Sequence, residues 1–429
     1  MRNETCDVVI VGTGAAGLFC ALSFPETIRV KMITKKSADE SDSFLAQGGI
    51  CMMRGEVDYP DYFEDTMKAG HYVNDEKAVE LMIRSSNSII RELLRLGVDF
   101  ERDEKGRLDF TREGAHSQPR ILFHEDETGK AITSVLLARA REAKNISIEE
   151  YTTMLDIVEK DNVCTGIVAE NEEKGLFIIE ADNVVLACGG IGGLYKNSTN
   201  FPHLTGDALA IALKHGIKVE HLNYIQIHPT TLYSERKGRR FLISESVRGE
   251  GALLYDKNMN RFVDELLPRD VVTEAIKAQM EKDGTDHVWE DLRPIGEEQI
   301  KKHFPNIYKR CLEEGYDVLK EPIPVVPAQH YHMGGIWVDL SSKTSMDRLY
   351  AVGEVSCNGV HGKNRLASNS LLESLVFARK AADEIVFGSE KEKPVADGVD
   401  LSVYKDKDAL FDHYKEMVLE EIEEEKRVG

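Results

Sequence analysis

The order of apolar and polar positions predicts alternating strands and helices from the start of the chain. A β-branched run from Cys6 to Val11 predicts a buried strand, and an apolar helix ending near Leu22 follows it. Between them lies a turn made of Gly12, Thr13, Gly14, Ala15, Ala16 and Gly17. Residues 28–33 predict a second strand. Residues 183–190 and 349–355 each predict a strand that runs into a glycine turn, so the pattern indicates an α/β fold.

The middle of the chain has a different pattern. From about Leu222 to about Gly334, short mixed strands and helices are separated by prolines and glycines. Because the strand–glycine segments lie on both sides of this region, it predicts an inserted unit, which could act as a mobile cap. The Lys/Glu-rich tail contains a predicted amphipathic helix over residues 406–424.

Length, charge and cysteine content limit the class of protein. A chain of 429 residues predicts two or three domains. The formal charge of −21 argues against nucleic acid as a partner. No apolar run approaches the ~20 residues of a membrane span, and no secretory signal precedes the first strand, so we expect a cytoplasmic protein. The seven cysteines are scattered without C-x-x-C spacing, which predicts free thiols and no metal site.

The glycine turn carries the first chemical signal. Its G-x-G-x-x-G spacing between a strand and a helix lets the backbone approach a pyrophosphate, whose charge then lies at the helix N-terminus. The second strand ends in Thr34 and Lys35, where an acid usually binds the ribose hydroxyls. The turn therefore predicts a dinucleotide, and the missing acid argues against an ordinary NAD-dependent dehydrogenase.

Two further segments resemble one known family. Residues 361–373 combine a loop rich in Gly and Asn, Arg365 within it, and a helix start, which suits anion binding. Residues 43–50 contain the sequence Ala-Gln-Gly-Gly. Both resemble the L-aspartate oxidase branch of the succinate dehydrogenase/fumarate reductase flavoprotein family, and the similarity extends over about residues 5–380.

The resemblance implies FAD as the cofactor. In addition to the residues of the glycine turn, it implies cofactor contacts from Lys35, Ser43, Ala46, Gln47, Gly48, Gly49, Asp207, Glu354, Ser370 and Leu371. Membrane-bound relatives attach FAD through a histidine five residues before this glutamine. Asp42 occupies that position here, so we expect the FAD to be bound non-covalently.

The resemblance also implies a division of the chain. We expect a discontinuous Rossmann-like FAD-binding domain over residues 1–221 and 335–389, with an α+β capping domain over 222–334. We expect a short C-terminal helical tail over 390–429, where oxidases of this branch usually carry a longer helical domain.

Cationic and polar residues from distant segments form the predicted substrate site. The resemblance implies catalytic roles for Arg269, His228 and His330, and substrate contacts from Glu113, Gln226, Ser244, Glu245 and Arg365. A guanidinium can bind one carboxylate of a C4 dicarboxylate in a bidentate fork. Glu113, in an R-E-G-x-H-S element, is the residue that we expect to recognise a substrate amino group, although by itself it would be predicted as an exposed loop residue.

Other polar residues receive structural predictions. Residues 244–251 predict a polar turn before a strand, in which we expect Arg248 and Glu250 to form a local ion pair. His332 receives no role, and with His330 it lacks a third metal ligand.

The resemblance implies oxidation of L-aspartate to iminosuccinate by hydride transfer to FAD. O2, giving H2O2, or fumarate would be the electron acceptor, and the reaction would begin de novo NAD biosynthesis, with a functional link to quinolinate synthase. A soluble fumarate reductase or succinate dehydrogenase flavoprotein is the alternative. A flavin-binding protein without turnover is a third.

Overall fold

The computed structural model describes residues 3–235, 238–388, 393–394 and 398–428. The boundary predicted between residues 389 and 390 lies outside these residues. The strands are β1 (Asn3–Val11), β2 (Val30–Ile33), β3 (Ile50–Cys51), β4 (Ile121–Leu122), β5 (Ile146–Glu149), β6 (Thr152–Lys160), β7 (Val163–Asn171), β8 (Gly175–Leu186), β9 (Val219–Glu220), β10 (Ile225–Leu232), β11 (Leu253–Tyr255), β12 (Val288–Asp291), β13 (Ile323–His332), β14 (Gly335–Trp337), β15 (Leu349–Ala351) and β16 (Ser356–Cys357). The α-helices are α1 (Ala15–Leu22), α2 (Asp42–Leu45), α3 (Tyr59–Ala69), α4 (Glu76–Leu96), α5 (Thr128–Glu142), α6 (Asp207–Lys214), α7 (Glu245–Gly249), α8 (Arg269–Asp283), α9 (Glu297–His303), α10 (Pro305–Glu313), α11 (Asn369–Phe387) and α12 (Lys407–Val428).

A seven-stranded sheet forms the centre of the fold. Its order is β5-β2-β1-β8-β7-β6, and β15 also pairs with β8. Strands β5, β2, β1, β8 and β15 pair in parallel with one another. Strand β7 pairs antiparallel with both β8 and β6. Parallel strands must be covered on both faces, which explains their continuous apolar sequences. The structure confirms the predicted α/β fold.

Two apolar cores lie on the two faces of this sheet. Helices α1, α4, α5 and α11 contribute to one core, which includes Phe19, Ile90 and Phe377. Helices α6 and α12 contribute to the other, where Tyr414 and Val418 of α12 are buried. The amphipathic helix predicted near the C-terminus is therefore present as α12 and covers one face of the seven-stranded sheet.

A second unit has its own sheet and its own core. Strands β10, β13, β12 and β11 pair antiparallel in that order, and α8, α9 and α10 pack with them. Their apolar core extends from Leu232 to Val325 and is separate from the two cores of the large sheet. These elements lie within the range for which the sequence predicts an insertion.

Several local predictions differ from the structure. The second strand begins at Val30, and the strand from Leu349 ends at Ala351 before a short 3-10 turn. The polar turn predicted at 244–251 is a short helix, α7, for which Ser244 is the N-cap and accepts a hydrogen bond from the Ser246 N–H.

The predicted ion pair between Arg248 and Glu250 is wrong. Arg248 interacts with Glu245, at 3.3 Å between Nη2 and Oε2, because residues three apart share a helix face. Glu250 pairs instead with Nδ1 of His303 at 2.8 Å.

The structure also bears on the predictions about membranes and cysteines. None of the helices in the described ranges is long and apolar enough to cross a membrane. All seven cysteines are free thiols, and six of them are buried.

Candidate active site

The glycine turn after β1 has the conformation that a pyrophosphate site requires. Gly12 has φ +116°, and a Cβ atom there would lie 2.1 Å from the carbonyl oxygen of Ala187. Only glycine fits this position. Gly14 is the N-cap of α1 and lacks a side chain, so backbone N–H groups at this helix end can point toward a ligand.

A single large cavity extends from this turn to the second unit. Of the residues predicted to contact the cofactor, the cavity wall contains Gly12, Thr13, Gly14, Ala16, Lys35, Ser43, Ala46, Gln47, Gly48, Gly49, Asp207, Glu354, Ser370 and Leu371. Of the residues predicted to act in catalysis or to contact the substrate, it contains Glu113, His228, Ser244, Glu245, Arg269, His330 and Arg365. The fold therefore joins the two predicted sets in one space.

The residues of the cavity fit a dinucleotide cofactor. The turn at Gly12 leaves its backbone uncovered by any Cβ, and Ser43 accepts a hydrogen bond from the Ala15 N–H at 3.0 Å. Lys35 forms an ion pair with Asp207 at the end where the second strand terminates. A cation held by an acid at this position replaces the single acid of an NAD site.

Two half-buried carboxyl groups also line the cavity. Asp42 accepts a hydrogen bond from the Phe201 N–H at 2.9 Å, and burial raises the pKa of Asp42 to about 7. Glu354 accepts from the His332 N–H at 2.9 Å, and burial raises its pKa to about 8. Asp42 carries no nucleophilic ring nitrogen, which agrees with the expected non-covalent binding of the cofactor.

Arg269 lies at the first residue of α8 and is buried. Its Nε donates to Glu245, and its Nη1 donates to Oε1 of Gln226 at 2.9 Å. Burial alone would raise the pKa of Glu245, but Arg269 and Arg248 hold it below the usual value. Glu245 is therefore a carboxylate that fixes the guanidinium at the cavity wall.

Arg365 projects from the loop before α11. Its Nη1 donates to Oγ of Ser370 at 2.6 Å, and its guanidinium carbon lies 4.3 Å from the centre of the Tyr331 ring. Its Nε is buried and has no hydrogen-bond partner among the described residues. Burial, followed by the charge of Arg269, lowers the pKa of Arg365 to about 10, so the group stays charged at neutral pH and can bind a carboxylate.

His228 and His330 lie against each other, with ring centres 5.1 Å apart. Burial and the charge of Arg269 hold the pKa of both rings well below the usual value, so both are neutral. Nδ1 of His330 lies 2.8 Å from the hydroxyl of Thr199. When the hydroxyl donates this hydrogen bond, the ring proton is on Nε2 and is available to a ligand.

Nδ1 of His228 lies 3.2 Å from the backbone nitrogen of Thr230 and 3.0 Å from its carbonyl oxygen. In the tautomer that accepts from the N–H, the proton is on Nε2. That nitrogen is buried without a hydrogen-bond partner in the described ranges.

Glu113 is a second acidic group of this region, beside Glu245, and is only 2% exposed. Its Oε1 accepts a hydrogen bond from Ser246 and its Oε2 accepts one from Ser368, each at 2.6 Å. Burial raises the pKa of Glu113 although both hydroxyls stabilise the carboxylate. The interpretation of Glu113 as an exposed loop residue is therefore wrong.

Three of the predicted site residues lie outside the cavity wall. Gln226 accepts from Arg269 and donates to the carbonyl oxygen of Arg365 at 2.8 Å, so its amide links the two arginines. It positions them and has no direct position at the cavity surface. Ala15 and Gly17 lie behind the glycine turn, where a Cβ on Gly17 would be 2.2 Å from the Gly12 carbonyl oxygen.

The sequence analysis missed several residues of the site, among them Thr199, whose hydroxyl contacts His330. Ser246 and Ser368 contact Glu113, Tyr331 lies under Arg365, and Arg239 lines the cavity. Ser246 and Ser368 lie inside the segments 244–251 and 361–373, so their positions were visible in the sequence but their contacts across the fold were not. Arg239 lies in a basic loop without any motif.

The chain matches a known family and several characterised relatives. The family profile described as "FAD binding domain" matches residues 7–371. An L-aspartate oxidase of Clostridium perfringens is 50% identical over 384 residues, which cover 89% of this chain and 87% of the relative. An L-aspartate oxidase of Acinetobacter baylyi is 41% identical over 396 residues, covering 88% and 72%.

Solved structures give the same result for the fold. The E. coli quinol fumarate reductase FrdA superposes with a TM-score of 0.85 and 29% identity, covering 96% of this chain and 74% of the other. A quinol-fumarate reductase with menaquinol molecules gives 0.85 and 30%, covering 97% and 76%. With a cavity that fits a dinucleotide and these similarities over most of its length, this chain belongs to the FAD-binding flavoprotein oxidoreductases and, within them, to the L-aspartate oxidase family.

Proposed function

We propose that this protein oxidises L-aspartate to iminosuccinate, with FAD as the hydride acceptor. The observation that carries the proposal is the charge pattern of the cavity wall. Arg365 and Arg269 supply positive charge for two carboxylates. Of the two buried acids beside them, Glu245 is paired with Arg269, whereas Glu113 has only serine partners and can bind an ammonium group. L-Aspartate carries the complementary groups, two carboxylates and one ammonium group, whereas succinate and fumarate lack the ammonium group.

Each charged group of the substrate has a partner of the right type. Arg365 keeps an unpaired Nε and binds one carboxylate. In the tautomers that carry the proton on Nε2, the two neutral histidines donate to the other carboxylate, together with the Ser244 hydroxyl at the cavity wall. Glu113 takes the amino group, because its two serine partners hold both carboxyl oxygens in place.

Oxidation of the substrate removes a hydride from the α-carbon and a proton from the nitrogen. Bound FAD supplies the acceptor for the hydride. Glu113 is the group that takes the proton, since its pKa is raised by burial and it is therefore a stronger base than an ordinary glutamate. Arg269 is held by Glu245 and Gln226, so it contributes fixed positive charge beside the developing product.

The subsequent steps follow from the family. O2, giving hydrogen peroxide, or fumarate, giving succinate, would reoxidise the enzyme. Iminosuccinate would serve as substrate for quinolinate synthesis, the first stage of de novo NAD formation, and a functional link to quinolinate synthase follows from that. We place the protein in the cytoplasm.

The decisive experiment is an anaerobic titration of the purified holoenzyme. Addition of L-aspartate should bleach the flavin absorbance, and addition of succinate should not. Bleaching by succinate alone would replace this proposal with a dicarboxylate dehydrogenase. Bound FAD that neither compound bleaches would indicate a flavin-binding protein without this activity.

Fumarate reduction is a second candidate activity for the same site. The two arginines bind the carboxylates of fumarate as they bind those of aspartate, and the fold is that of the quinol fumarate reductases. Rapid reoxidation of the reduced holoenzyme by fumarate, without reduction by aspartate, would make it the principal activity.

A further inference from the structure

A second, small cavity lies beside the cofactor cavity. Gln47 lines both cavities, and Ser246, which donates a hydrogen bond to Glu113, lines the small one. About 10 Å³ is available there to the centre of a water molecule, which is enough for one water. A buried water also needs polar partners.

Polar groups surround this small cavity. Oε1 of Gln47 is buried and has no hydrogen-bond partner within the described part of the chain. Glu250 and His303 also line this cavity and form an ion pair, at 2.8 Å between Nδ1 and Oε2. Their side chains are 18% and 24% exposed, so the pair connects the interior with solvent.

The reaction requires an exit for a proton. Conversion of the R2CH–NH3+ group of aspartate to R2C=NH2+ releases one hydride, which bound FAD accepts, and one proton from nitrogen. Glu113 receives this proton and is 2% exposed, so it cannot pass the proton directly to bulk water. It must lose the proton before the next turnover.

Of the two serine hydroxyls that donate hydrogen bonds to Glu113, only that of Ser246 belongs to a residue that lines the small cavity. Ser368 is buried, and its Oγ accepts a hydrogen bond from the Gly49 N–H at 3.0 Å. Ser246 lines the small cavity, whose wall also includes the partly exposed side chains of His303 and Glu250. The Ser246 Oγ also accepts a hydrogen bond, from the Ser244 hydroxyl at 3.2 Å, so the two serines differ in that Ser246 lines the small cavity and Ser368 does not.

We propose that Ser246, one water held against Gln47, and the His303–Glu250 pair form the path by which the amino-group proton leaves Glu113. The proposal rests on the proposed function, because only an amine substrate requires this path. Ser246 takes the proton from Oε1 of Glu113 and gives its own hydrogen to the water. The water passes a proton to the His303–Glu250 pair, which exchanges it with solvent.

The surroundings of His303 suit such an exchange. The hydrogen bond that the Glu250 carboxylate accepts from the His303 ring raises the pKa of His303. Burial and Lys302 oppose this shift, and Glu101 supports it. The remaining neighbours are Phe123 and Phe304, which are uncharged, while Glu125 is a further acid at the cavity wall.

The test uses the holoenzyme and two single-turnover reactions. Cofactor reduction by L-aspartate is followed anaerobically as a function of pH, in H2O and in D2O. Reoxidation of the reduced holoenzyme by fumarate is followed under the same conditions. Fumarate has no amino group, so its reaction does not use the path.

The variants are Ser246→Ala, Ser246→Thr, His303→Gln and, as a control, Lys302→Gln. Removal of the Ser246 hydroxyl should slow reduction by aspartate at least ~10-fold and change its solvent isotope effect, with fumarate reoxidation within about two-fold. Ser246→Thr should restore the rate. His303→Gln should shift the pH profile of cofactor reduction by aspartate and slow this reaction, and added imidazole should restore its rate. Lys302→Gln removes a charge that lowers the pKa of His303 but does not line the cavity, so it should keep the maximal rate of both reactions and shift only the pH profile of reduction by aspartate toward higher pH.

The outcomes separate the two proposals. If the unmodified holoenzyme is not reduced by aspartate, both the function and the path are refuted. If it is reduced and Ser246→Ala keeps the full rate, or loses both reactions equally, the path alone is refuted. If Ser246→Ala does not fold, His303→Gln decides: an unchanged pH profile without an effect of imidazole refutes the path.

Discussion

Replacement of Glu113 by glutamine tests the assignment of the amino group to this residue. The substitution keeps the shape of the side chain. The space around this side chain is small, since even a Cβ atom on Gly48 would lie 2.9 Å from Oε1 of Glu113. It removes the negative charge that faces the ammonium group. The arginines remain in place, because neither of them forms a hydrogen bond with Glu113.

The size of the effect follows from the type of contact that is lost. A hydrogen bond between charged groups contributes about 1.5–3 kcal/mol, which corresponds to a ~10- to 150-fold decrease in kcat/KM for aspartate. Loss of the base should lower kcat further. Fumarate reduction should stay within about two-fold, because fumarate presents only carboxylates to Arg365 and Arg269.

The assay compares two reactions of the same FAD-loaded enzyme. One is anaerobic reduction of the flavin by L-aspartate, and the other is reoxidation of the reduced flavin by fumarate. In the unmodified enzyme, reduction by aspartate should decline as pH falls through the raised pKa of Glu113, since the protonated acid cannot accept a proton. This decline should be absent in Glu113→Gln. An equal loss of both reactions would refute the role in amine recognition.

Three further predictions follow from the structure. Arg365→Leu should weaken binding of aspartate, succinate and fumarate alike by at least ~10-fold, and unchanged succinate affinity in a flavin-perturbation titration would remove Arg365 from the site. Gly12→Ala places a Cβ 2.1 Å from the Ala187 carbonyl oxygen, so the purified protein should contain much less FAD by absorbance ratio; full FAD content would contradict the proposed pyrophosphate turn. Glu290 is buried in the second unit, neither of its carboxyl oxygens has a hydrogen-bond partner in the described residues, and burial raises its pKa to about 8. Its native form therefore retains a proton that the unfolded chain loses near pH 4.5, so stability decreases as pH rises from there through about 8. Glu290→Gln should reduce this decrease when Tm is measured at pH 6 and pH 9, and an identical Tm difference between the two pH values in both proteins would contradict it.

The local elements were largely predictable from sequence. The strand from Cys6 and the glycine turn depend on interactions within a few residues, namely β-branched side chains and glycine torsion angles. Helix α7 was missed because its short polar sequence resembles a turn, and its side chains are stabilised by partners far along the chain. Arg248, for example, donates to the carbonyl oxygen of Glu265.

By itself, the sequence determined that the chain has a dinucleotide fold and contains a set of cationic residues in recognisable motifs, because those signals are local. Only the tertiary structure decided which of them meet. Glu113 contacts Ser246 and Ser368, which are 133 and 255 residues away, and this burial turns a loop glutamate into a base. Gln226 was predicted to contact substrate but joins two arginines instead. Such contacts depend on how the second unit packs over the large sheet, and no spacing within one segment contains that information.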